Sequence, residues 1–146
     1  MAERPGDPEA LGRVAANRAV LTAMAEGAER SSDGVGPWSP DGWVMRTHPD
    51  FSEVVGMVAP DDLRIVHGVT TLVDAAVRIY AVAWGTGYLW LRVPSGPAFD
   101  DAVGGGTATE VDGLPGWVVV DGWRVDLATW IRASAVLTRD MIPADA

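Results

Sequence analysis

The chain has 146 residues, 48% hydrophobic and 21% charged, which is the length and balance of one globular domain. It contains neither cysteine nor lysine, which excludes disulfides, thiolate nucleophiles, cysteine zinc sites, Schiff-base chemistry and a phosphate-loop lysine. A formal net charge of −9 repels polyphosphate, so nucleic-acid binding is not expected, while solubility or a basic protein partner is favoured.

The first six residues read as a disordered N-terminus, polar and without an apolar signal core, and a cytoplasmic location is the expectation. Asp7-Pro8-Glu9 is a helix start, with a capping acid, proline in the first turn and an acid at the positive helix end. Leu11, Val14, Ala15, Leu21, Met24 and Ala28 continue a near-3.6 stripe, which predicts one helix to about Arg30. Residues 31–42 are turn-rich and read as a loop carrying Trp38. Trp43 to His48 reads as a strand stopped by Pro49. Phe51 to Ala59 fits either a helical turn or a strand, Leu63 to His67 a strand, and Thr70 to Ala76 either class.

"RIYAVAW" and "YLWLRV" around Gly85-Thr86-Gly87 predict a hairpin. In its second strand Leu89, Leu91 and Val93 share one face, and Tyr88, Trp90 and Arg92 the other. "PAFDDAV" predicts about two helical turns ended by Gly104-Gly105-Gly106, followed by a loop from Thr107 to Gly116. Trp117 to Val120 and Trp123 to Val125 around Asp121-Gly122 predict a tight hairpin. Asp126 then caps a last helix with Leu127, Trp130, Ile131, Ser134, Leu137, Thr138 and Met141 on its stripe and Pro143 beyond its end. This order predicts a single α+β domain: an antiparallel sheet of about five strands with N- and C-terminal helices packed on one face. The apolar run from Val69 to Val93 is interrupted by Asp74 and Arg78 and cannot span a bilayer, so no membrane is expected.

No coherent catalytic set emerges. The metal-like pattern is His48-x-Asp50 with His67, two imidazoles and a carboxylate as in a facial iron site, with Glu53 as a further ligand or base; the simpler reading is a strand end and a turn cap. No metal or cofactor is expected. Asp74, Glu110 and Asp126 are the acid–base candidates; Asp74 interrupts an apolar run and, if inward-facing, needs a partner such as Arg78. The triple glycine lacks the strand before it and the basic neighbour of a phosphate cradle. "DGWVM" and "DGWRV" read as two turn-then-strand starts, not a duplication.

The helix–sheet–helix order resembles that of small acidic α+β domains of the secretion-chaperone type, which act as dimers on protein partners. The portion from Arg78 to the last helix is similar to the TfoX and YjbR group of small domains. No motif matches either residue by residue, so neither lends a site residue. The favoured function is a non-catalytic acidic accessory protein, chaperone- or adaptor-like. It would engage a protein partner, with a homodimer as one form of this, through Trp38, Tyr88, Trp90 and Arg92, because a sheet apolar on both faces needs cover beyond one helix layer. The alternative is a small biosynthetic-pathway enzyme or ligand-binding protein with an aromatic-lined pocket, using His48, Asp50 and His67.

Overall fold

The computed structural model describes residues 7–31, 46–94 and 96–142. The expected disordered terminus, most of the 31–42 loop with Trp38, the start of the Trp43 strand and Pro143 lie outside them. Helix α1 is Pro8–Leu11, capped as predicted by Asp7, whose carboxylate accepts the Glu9 N–H. The chain does not continue as one helix. It bends through Gly12 and the extended Val14 into a 3-10 turn, Ala15–Asn17, and resumes as α2, Arg18–Ser31.

Asn17 accounts for the bend. It is fully buried, and its amide donates to the Leu11 carbonyl at 2.9 Å and the Val77 carbonyl at 2.7 Å, while its oxygen accepts the Ile79 N–H at 2.8 Å. One local and two tertiary hydrogen bonds outweigh the local preference for a straight helix.

Pro49–Val58 forms helix α3, which settles the ambiguity of that stretch. Phe51, Val54, Val55 and Val58 recur at helical spacing, and Phe51 and Val55 are buried. Pro49 therefore begins a helix, and in the described end of the expected Trp43 strand Thr47 forms a single bridge with Gly85. The strands β1 (Leu63–Val66), β2 (Val69–Val73), β3 (Ile79–Trp84) and β4 (Tyr88–Arg92) form a meander. The β3–β4 hairpin is the predicted one, with Ala81 opposite Leu91 and Ala83 opposite Leu89. Helix α4 (Pro97–Gly104) follows, then a two-residue strand β5 (Thr109–Glu110) inside the predicted loop, β6 (Trp117–Asp121) and helix α5 (Leu127–Met141).

The result is α+β: one antiparallel sheet of six strands in the order β1-β2-β3-β4-β6-β5, with helices at both ends of the chain. Among the described residues no helix is long and apolar enough to cross a membrane. The placement of the terminal helices differs from expectation. Helices α3 and α5 pack with Leu72, Tyr80, Leu89, Leu91, Val118 and Val120. The Leu11, Val20, Leu21 and Met24 side chains of α1 and α2 pack with Val66, Val69, Ile79, Val82 and Trp117. The two terminal helices thus divide between the two sheet faces, because both faces are apolar and each requires a cover.

A second correction concerns Asp121-Gly122. Residues Trp123–Val125 do not return as a strand. The Asp121 carbonyl accepts the Arg124 N–H at 3.0 Å, the Gly122 N–H binds the Gly87 carbonyl at 2.7 Å, and the chain turns into α5. Glycine is required at position 122 by packing: an added Cβ would lie 2.6 Å from the Phe51 ring.

Strand β3 carries a bulge. Val73 faces Ile79 and Leu72 faces Ala81, so Tyr80 is an extra residue. The Ile79 carbonyl accepts the Arg92 Nε–H at 2.8 Å, and the Ser134 hydroxyl shares its proton between the Tyr80 and Arg92 carbonyls at 2.9 and 2.7 Å. Replacing Asn17 by Ala leaves the Ile79 N–H and two carbonyls without their partner. It should lower unfolding stability by about 3 kcal/mol in urea titrations, from the cost of stranded buried polar groups. A loss below about 0.5 kcal/mol, within the range of ordinary surface substitutions, would show that Asn17 does not hold the bend.

Candidate functional site

Trp38 lies outside the described residues; of the other expected binding residues, Tyr88, Trp90 and Arg92 differ in exposure. Tyr88 is 64% exposed. Trp90 is half-buried against Trp84, ring centroids 5.2 Å apart and tilted by 52°. Arg92 is buried; besides its bond to Ile79 it donates to the Ala16 carbonyl at 3.0 Å and lies 4.7 Å over the Trp117 ring. Burial, with Arg78 adding to it against Asp74, lowers the Arg92 guanidinium to about 10, so it remains a cation at neutral pH. The alternation of Tyr88, Trp90 and Arg92 is real. The chain's own helices and the turn between them cover the Trp90 and Arg92 part of the face they share, and Tyr88 at its end stays exposed.

The histidine set has local duties. The His48 Nδ1 accepts the Asp50 N–H at 3.1 Å and caps α3. His67 occupies the β1–β2 turn with a positive φ of 53°. Asp50 and Glu53 are exposed. Among the described residues no three His, Asp or Glu side chains cluster to hold a metal ion, so the facial-iron arrangement is not formed.

The acid–base candidates also have structural partners or lie in solvent. Asp74 does pair with Arg78, as their spacing suggested, but across the tight β2–β3 turn and not along a helix. Its carboxylate accepts the Ala76 and Arg78 N–H groups and the Arg78 Nε–H at 2.9 Å, with both side chains largely buried. Arg78 also reaches the Arg139 and Ile142 carbonyls at the end of α5. Glu110 is exposed on β5. Asp126 caps α5 as predicted, and the bonds from the Thr129 hydroxyl and N–H hold its carboxyl below the usual range.

The three indoles of the Trp117–Trp130 stretch separate. Trp117 is buried under Arg92, Trp123 is 56% exposed, and Trp130 lies half-buried on α5. Trp130 belongs to a feature that sequence periodicity did not reveal. Between α4, α5 and the end of β4 a groove of about 340 Å³ opens to the surface. Val93, Ala102 and Leu137 give it an apolar lining, Ala98 and Ala133 give it small exposed walls, and Trp130 adds an indole. Its polar groups are the Asp101 carboxylate and the hydroxyls of Thr107, Thr129 and Ser134. The available signal was the small pair Ala133-Ser134, one turn beyond Thr129-Trp130 on the helix. A smaller recess of about 270 Å³ holds Asp74, Arg78 and Arg139, where the Arg78 and Asp74 charges already satisfy each other.

Comparison of the chain with protein-family models, curated proteins and solved structures finds no match. What the chain binds must therefore be argued from its own surfaces.

Trp90 is a packing residue in this arrangement. Trp90→Ala should lower unfolding stability by about 2 kcal/mol, less than a fully buried Trp would lose. Tyr88→Ser should change it by less than about 0.5 kcal/mol, as for other surface substitutions. Equal stabilities for the two variants in thermal and urea unfolding would contradict this placement.

Proposed function

We propose that the chain is a small ligand-binding protein and that its site is the groove between α4 and α5. The observation that carries this reading is the groove itself, an apolar recess of about 340 Å³ with one indole and a few polar groups along its wall. That volume lies at the small end of the range that holds compact organic ligands, and the ratio of apolar to polar lining is of the kind such sites use. This is the aromatic-lined pocket of the alternative drawn from sequence, moved from His48, Asp50 and His67 to Trp130 and its neighbours.

A second reading, an accessory protein that engages a protein partner or a second copy of itself, is favoured by two exposed rings. Tyr88 and Trp123 are 64% and 56% exposed and both adjoin the β3–β4 turn. The Trp123 indole N–H donates to the Thr86 carbonyl, and its ring lies against Gly87 and Phe51. Aromatic side chains held in place yet open to water are the residue type on which interfaces concentrate their energy.

The two readings separate by experiment. Naphthylethanol, an uncharged aromatic probe, should shift the amide resonances of residues 129–137 and 98–102 saturably. Ala133→Trp should abolish those shifts while leaving the rest of the spectrum in place. Shifts scattered over the molecule, or unchanged by Ala133→Trp, would remove the groove as the site. Sedimentation of the full chain addresses self-association: a dimer lost in Trp123→Ser supports the second copy, and a monomer at every concentration removes it.

A further inference from the structure

We infer that the ligand of the α4–α5 groove is an organic cation, a primary amine carried on an apolar or aromatic body. This rests on the groove being the ligand site. The inference comes from which polar groups remain free there. The Thr129 hydroxyl donates its proton to the Asp126 carboxylate at 2.8 Å and so presents only lone pairs to the groove. The Ser134 proton is held by the Tyr80 and Arg92 carbonyls. Asp101 is the sole ionisable residue in the lining, and it forms no ion pair among the described residues.

The Thr107 hydroxyl can donate or accept, and the other polar groups of the wall, Asp101, Thr129 and Ser134, present acceptors. An alcohol in the groove could return one hydrogen bond from a neutral donor to the Asp101 carboxylate, whereas an ammonium would give it one charged on both sides and has further protons for Thr129. The Trp130 ring adds a face on which a cation is favoured over a neutral group. Anions are opposed twice, by Asp101 and by the −9 formal charge of the chain. The apolar lining then selects the remainder of the molecule, which excludes small hydrophilic amines that gain nothing from leaving water.

The test uses three probes of similar shape on the full chain, naphthylethylamine, naphthylethanol and naphthylacetate, with affinities from amide shifts and calorimetry. The amine should bind about fivefold tighter than the alcohol, the advantage of one exposed ion pair with a cation–π contact, and the acetate should bind weakest. Raising the salt concentration should reduce the preference for the amine. Asp101→Asn, on an exposed position of α4, should remove the ion-pair share and reduce the amine's advantage to about twofold or less, the part left to Trp130. If the alcohol binds as tightly as the amine to the unaltered chain, or if the amine keeps its full advantage in Asp101→Asn, the cation inference is overturned while the groove stands. If none of the three shifts the Trp130 and Ala133 amides, the groove reading falls with it.

Discussion

The fold depends on how one irregularity in a central strand is satisfied. At the Tyr80 bulge the β2–β3 ladder changes register, and backbone polar groups in the middle of the sheet need other partners. Three side chains supply them. Asn17 takes the Ile79 N–H, Arg92 binds the Ile79 carbonyl, and Ser134 binds the Tyr80 carbonyl. They come from the 3-10 turn before α2, from the neighbouring strand and from α5. One defect thus ties both helical layers to the sheet, and a buried network of this kind specifies its arrangement because each member strands another when removed.

The placement of Arg92 follows from the same constraint. A guanidinium between an indole face and two carbonyls is held in place with little exposure. Sequence alternation correctly placed Tyr88, Trp90 and Arg92 on one side of β4 but could not show that α1 and α2 return over that side. The information lay in Asn17, a residue whose type suggests a cap or turn and two of whose three bonds reach the distant Val77 and Ile79. What was legible was local: the Asp7 and Asp126 caps, the Gly85–Gly87 hairpin and α4 with its glycine end each depend on residues a few positions apart. What was missed depended on distant contacts. Asp121-Gly122 has the composition of a hairpin turn, yet its glycine answers to Phe51, some seventy positions earlier.

The same distinction explains the site. The groove is an inter-element property: α5 is positioned through Ser134 on β3 and β4, and α4 is set beside it by the connection from β4 to β5. Trp130 reads as core because its spacing is that of the core stripe. It does pack there, and its remaining surface lines the recess. A residue that serves both packing and a surface gives one periodic signal, and that signal is the one for packing.

Charge completes the argument. The chain has 20 acidic residues against 11 basic ones, and at least two of the arginines, Arg78 and Arg92, are turned inward. Arg78 is held by Asp74 and the carbonyls ending α5, and Arg92 by backbone carbonyls and Trp117. Both serve as multidentate connectors of the interior, a task suited to a planar group with five donors. The outward potential is therefore governed more by carboxylates than an even distribution of charge would give. Helix α4 shows this locally: Asp100 and Asp101 are both exposed, and no arginine lines the groove beside them. The arginines turned inward do not offset the exposed Asp101 carboxylate at the edge of the apolar recess, and its charge favours a cation there.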